Sequence, residues 1–210
     1  MRAPRTEPNV TEWVILALAS EAPTHGWTVV RALRRDGSLG GVWSSSAPLV
    51  YRAVSRLQDV GLLQSVGSAE GRGPNRVMLE ATSAGSKRVA EWLTRPVDHV
   101  RDVRTAFLIK LLLLERRGAD RTLLVQRQRE QFQPMVDALA ERAAAETGPD
   151  RLVAAWRALN ADAVMRFLDA IDPDQADEPL HARARANPAR RRSAHGGAHG
   201  AGSWIDDELP

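Results

Sequence analysis

The stretch 46–61 constrains this chain more than any other. Val50, Ala53, Val54, Leu57 and Val60 recur at three- and four-residue spacing, so a helix here gathers them on one face. Ser46 stands where a helix is capped, Pro48 falls in its first turn and Gly61 lies just past its end. Opposite the apolar face lie Pro48, Tyr51, Arg52, Ser55 and Asp59, with Arg56 at the flank. Such a helix lays one side on a core and offers the other to something outside it.

The flanking segments say what that core is. The apolar block 13–19 follows Asn9-Val10-Thr11-Glu12, where Asn9 caps a helix and Glu12 answers three residues later, predicting a helix over 10–20. Pro23 ends it, and Thr24 caps a second helix that carries Trp27, Val30 and Leu33 and stops at Gly37. After the central helix, 62–66 and 76–79 read as strands around the glycine- and proline-bearing stretch 67–74, a hairpin loop. Thr82 caps a fourth helix that ends near Trp92-Leu93, ahead of Arg95-Pro96. Three helices, a hairpin and a closing helix in this order predict a winged helix-turn-helix with a two-stranded β wing over 10–98, preceded by a flexible stretch at 1–9.

From residue 99 onward punctuation is sparse. Helices are predicted over 101–117, 120–146 and 150–172, the last with Leu152, Trp156, Leu159, Ala163 and Phe167 as a narrow apolar stripe. Three helices with little else to pack on call for a second copy. The region 99–173 is therefore expected to be an antiparallel helical dimerisation domain, with Phe107 and Leu111 as further dimerisation residues. Beyond it the composition turns acidic, then arginine-rich at 190–192, then rich in glycine and histidine, with little to bury until Trp204-Ile205, so 174–210 is expected to be a disordered tail. The fold class is mainly α.

Composition removes several function classes. With no cysteine there is no disulfide framework, thiolate nucleophile or thiolate zinc site. No run approaches the roughly 18 apolar residues that span a bilayer, and the opening MRAPRTEPNVTEW lacks the apolar stretch of a secretory signal, so a cytoplasmic protein with no membrane partner is expected. Neither a Gly-x-Ser-x-Gly elbow nor a Walker loop is present, and the carboxylates scatter over helical faces, so no enzyme, cofactor or metal site is expected. His195 and His199 fall in a glycine-rich stretch where ordering a site costs entropy, and they read as solvated, whereas His25 reads as a packing or capping residue. Net charge is +3, and the whole excess lies in the first hundred residues, with 12 Lys+Arg against 9 Asp+Glu. So small a surplus says little about nucleic acid by itself, and the arginines, with Lys87 and Lys110 the only lysines, match the coding bias of a GC-rich genome.

The order of elements says more. In a helix-turn-helix the second paired helix enters the major groove with its N-terminal half against base edges. Ser45, Ser46, Leu49, Tyr51, Arg52, Ser55 and Arg56 thereby become candidate contacts to double-stranded DNA, with Arg52 able to fork onto guanine. Arg72 and Arg76 flank Gly71, Gly73 and Pro74 in the hairpin loop, where they suit a phosphate backbone.

On these residues the chain resembles the PadR family of transcriptional regulators. The resemblance rests on the opening helix 13–18, Thr24-His25-Gly26-Trp27, the run 49–63 with Tyr51 near the start and Gly61-Leu62 after it, and the loop 71–76. It continues through Thr82-Ser83-Ala84-Gly85, Trp92-Leu93, 95–102 and 107–110, and covers roughly 10–172. It implies a homodimer with a winged domain at each end that binds an inverted repeat, usually represses, and is released by a small aromatic or cationic effector near the dimer interface. Trp92 and Trp156 are the candidate effector residues, although Trp156, with Phe132 and Met135 nearby, reads more plainly as seam core. A winged-helix adaptor, or a small-molecule sensor working through protein contacts, is the alternative. Two departures stand out. Trp27 replaces the tyrosine usual after the glycine, a larger ring in the same apolar role, and 77–81 lacks the usual aromatic, which implies looser wing packing.

Overall fold

The computed structural model describes residues 7–69 and 76–172. Helix α1 (Val10–Glu21) begins with the expected capping box: the Asn9 side chain accepts from the Glu12 amide at 3.0 Å, and the Glu12 carboxylate accepts from the Asn9 amide at 2.7 Å. Nine consecutive residues of α1, Thr11 to Ala19, are buried, so this helix is the axle of the winged domain rather than a one-sided surface helix. Helices α2 (Gly26–Ala32), α3 (Ala47–Asp59) and α4 (Ser83–Thr94) and the sheet close around it.

The sheet has three strands rather than the expected two. Strand β3 (Arg76–Ala81) sits between β2 (Leu63–Ala69) and a short β1 (Thr24–His25), antiparallel to both. Thr24 pairs with Leu79 and His25 with Met78 on one edge, Leu63 with Ala81 on the other. Thr24 is therefore a strand residue, and His25 takes the N-cap position of α2 without a side-chain cap bond. Two residues are too few to display the alternation by which strands are read. At the far end of α3, Gly61 turns with φ +69°. Thr82 then caps α4 by accepting from the Gly85 amide at 3.1 Å, and its hydroxyl donates to the Gly61 carbonyl at 2.9 Å. A Cβ on Gly85 would lie 2.1 Å from the Leu62 carbonyl oxygen, so α4 rests directly on the turn that leaves α3.

The rest of the chain is a helical arm. The expected helix over 101–117 is interrupted: α5 (Val100–Asp102) passes through a π turn (Val103–Phe107) into α6 (Leu108–Arg116). Helices α7 (Thr122–Ala145) and α8 (Asp150–Ala170) pack on each other as a hairpin. Arm and winged domain share one continuous apolar core, to which Phe107 contributes a side chain fully enclosed by its own chain, while Leu111 is half-buried. Two polar clamps fasten the junction. Buried Gln128 of α7 accepts from the Val97 amide at 2.7 Å and donates to the Val97 carbonyl at 3.0 Å. Glu21 at the end of α1 takes Arg116 at 2.7 Å and Arg117 at 3.2 Å, and Arg117 also donates to the Ala17 carbonyl at 2.6 Å. Between the clamps the Trp92 ring stacks on Trp13 at 5.0 Å, and the buried Lys110 ammonium lies over Trp92 at 4.9 Å while donating to the Arg95 carbonyl. Burial, reinforced by the Arg95 charge, pushes the Lys110 amine down to about 8.

Candidate nucleic-acid interface

The outward face of α3 is built by three attachments. At its start the Ser45 amide donates to the Leu33 carbonyl at 3.0 Å, which ties the approach to α3 to the end of α2. Near its first turn Gly26 of α2 lies against the Tyr51 ring: a Cβ there would stand 2.8 Å from Tyr51 Cε1, so a larger residue would have to push that ring aside. At its end the Gln58 amide donates to the Ser65 hydroxyl at 2.8 Å, linking α3 to the first strand of the wing.

With α3 held in this way, Ser46, Leu49, Tyr51, Arg52 and Ser55 are exposed along one side, and Ser45 is half-buried. Tyr51 leaves 52% of its surface open beyond the edge that meets α2. Ser46 occupies the N-cap position, but its side chain makes no cap bond. Arg56 is placed differently from its neighbours. Its Nη1 meets both oxygens of the Glu12 carboxylate at 2.6 Å, and Glu12 is buried. The guanidinium thus locks α3 to α1 and positions the exposed row beside it. Glu12 was legible only as half of a capping box, because nothing local signals a partner 44 positions away. Trp43 carries a similar unannounced role: its indole N–H donates to the Thr11 hydroxyl at 3.0 Å and pins the loop before α3 to α1.

In the wing, Arg76 opens β3, while Arg72 and the rest of the loop over 70–75 lie outside the described residues. The expected apolar role of Trp27 is not what the structure has. The ring is exposed, with the Arg31 guanidinium 5.9 Å from its centroid, because α2 turns this position toward solvent.

The arm residues fall into two groups. Leu152, Trp156 and Leu159 of α8 are 71%, 68% and 63% exposed, and Ala163 is exposed beside them. Phe167 is half-buried, and Phe107 faces inward. Of the two candidate effector residues, Trp156 borders a cavity of about 880 Å³ between the π turn, α7 and α8, whereas Trp92 is enclosed between Trp13 and Lys110. Among the described residues no helix is long and apolar enough to cross a membrane, and no cluster of His, Asp and Glu has metal-binding geometry. His195, His199 and the arginines of 183–192 lie outside them.

A helix pair crossing at Gly26 and Tyr51, a hairpin behind it and a capped helix closing the core define a winged helix-turn-helix domain. Residues 15–91 match the Transcriptional regulator PadR-like family. Similar solved structures include Bacillus subtilis PadR in complex with operator DNA, at 19% identity over 80% of this chain and 98% of that one, with a TM-score of 0.42. The same protein in complex with p-coumaric acid is similar at 20% identity over 80% and 96%, with a TM-score of 0.36. A PadR-like transcriptional regulator from Bacillus cereus is similar at 15% identity over 79% and 95%, with a TM-score of 0.37. No curated protein matches the chain.

Proposed function

We propose that this chain is a sequence-specific, DNA-binding transcriptional repressor that works in the cytoplasm as a homodimer on an inverted repeat. The observation that carries the reading is the exposed polar row of α3, held by the Glu12–Arg56 pair inside a segment that matches a regulator family. Tyr51, Arg52, Ser46 and Ser55, with Ser45 and Leu49 at the margin, approach base edges, and Arg72 and Arg76 of the wing hold phosphate. Arg56 acts through Glu12 as a positioning residue. Self-association is supported by Leu152, Trp156 and Leu159, three large apolar side chains in a row on α8 that a lone chain leaves in water. A two-fold pairing through α8 sets two winged domains to read half-sites in inverted order. Release by a small aromatic or cationic effector belongs to the same reading, with exposed Trp156 as the residue that supports it.

The test is fluorescence anisotropy of the full chain on a duplex from its own upstream region and on a scrambled duplex, at two salt concentrations. Specific reading predicts about a thousandfold preference for the native duplex and steep weakening with salt. Equal binding to all duplexes, including those a genomic selection enriches, overturns it in favour of an adaptor that kept the fold. Repeating the titration with aromatic acids and with organic amines tests release; an unchanged affinity removes that part of the proposal.

A further inference from the structure

The cavity beside α8 has a divided chemistry. Its floor is apolar, from Leu108, Met135, Leu139, Val164 and Phe167, and its rim is cationic, from Arg101, Arg104 and Arg157. No carboxylate lines it among the described residues, Arg104 and Arg157 are exposed and have no ion-pair partner there, and Arg101 meets only its neighbour Asp102, at 3.9 Å. An apolar floor under uncompensated cations suits an occupant that joins apolar bulk to negative charge at short range.

The chain carries such a segment. Residues 204–209 read Trp-Ile-Asp-Asp-Glu-Leu, which puts two large apolar side chains directly before three carboxylates, and between Leu180 and Trp204 there is no other large apolar residue. The segment is tethered within reach. Trp204 follows Asp172, the last described residue, by 32 positions; a coil of that length spans about 30–35 Å. The cavity begins at Phe167, one turn before α8 ends, and extends back along α8 to Trp156, about 16 Å further. A tether of this length holds its end at an effective concentration on the order of millimolar, so even a weak intrinsic affinity keeps the cavity filled.

We propose that residues 204–209 dock into this cavity of their own chain, Trp204 and Ile205 on the apolar floor and Asp206, Asp207 and Glu208 against Arg101, Arg104 and Arg157. The docked segment is a built-in plug. It covers the flank of Trp156, so any ligand of the cavity has to displace it, and it lies next to the outer face of α8. The proposal requires neither DNA binding nor an effector.

The chain has no cysteine, so a spin label can be attached to S203C in the full-length protein without competing sites. Docking predicts paramagnetic broadening of the methyl signals of Met135, Leu139 and Val164, with Val29 and Leu33 in the winged domain spared. W204A with I205A should abolish the broadening, R104E with R157E should weaken it at least severalfold, and adding D206K with D207K to the latter should restore it. Matched signals from α1 to α4 in each variant check that the fold is intact. Absence of broadening, or its persistence in the W204A and I205A variant, overturns the proposal. So does broadening that arises only when a spin-labelled chain is mixed with an isotope-labelled one, because the segment would then dock on a second copy.

Discussion

Helices α3 and α8 each leave one face uncovered, and the two faces have opposite chemistry. The outer row of α3 is Ser46, Tyr51, Arg52 and Ser55 with a single aliphatic, Leu49, and its inner row of Val50, Ala53, Val54 and Leu57 is buried. On α8 the inner row is Ala154, Ala161, Met165 and Leu168, and three large apolar side chains, Leu152, Trp156 and Leu159, point outward. A polar outer face is stable in water and can wait for a charged partner. An apolar one is stable only when covered, so α3 fits an intermittent partner such as DNA and α8 a permanent one such as a second copy.

The largest effect is expected on α8. L152E with L159E should turn the proposed dimer into a monomer, since across a two-fold axis four leucines would leave the seam at a cost of about 6 kcal/mol or more. Sedimentation checks this, and a surviving dimer would mean that the uncovered face has another use. Next comes the attachment of α3. R56A strands a buried carboxylate and should lower stability by about 3 kcal/mol in urea titrations, whereas R52A, on the exposed row of the same helix, should change it by less than about 0.5 kcal/mol. If both variants unfold alike, Arg56 does not anchor α3.

The junction between the two regions has its own signature. Folding lowers the Lys110 pKa from 10.5 to about 8, so the folded protein holds this proton less tightly than the unfolded chain. This contribution makes stability lowest below about 8 and lets it rise as pH climbs toward 10.5, by up to about 3 kcal/mol in total. K110M should flatten that rise, read from urea midpoints on either side of the window; an unchanged slope would place its cause elsewhere. The smallest effect in free energy is the most specific one: R52A should weaken operator binding by about 1–3 kcal/mol and relax discrimination at one base position, with stability intact. Uniform weakening on every duplex would make Arg52 a phosphate contact instead.

Legibility along the chain follows how far each interaction reaches. The Asn9–Glu12 box, the Thr82 cap three residues from the Gly85 it needs, and the Pro48 and Gly61 boundaries of α3 are satisfied within a turn or two, and all could be read in advance. The exposed row of α3 was equally plain, since one helical period separates it from the buried row. What could not be read joins distant segments: β1 pairing with β3, Glu12 with Arg56, Trp43 with Thr11, Gln128 with Val97. Phe107, expected among the dimerisation residues, lies at the end of the π turn and is enclosed in the chain's own core.

By itself, then, the sequence determined the order of helices and hairpin, their caps, and the polar face of α3, because backbone geometry repeats over a few residues and makes spacing a sufficient signal. Only the tertiary structure decided that Arg56 anchors rather than reaches outward, that Trp92 is enclosed and Trp156 open, and that Lys110 sits dry at the junction. Those outcomes depend on which surfaces meet after collapse, and burial and charge pairing act across space without regard to separation along the chain.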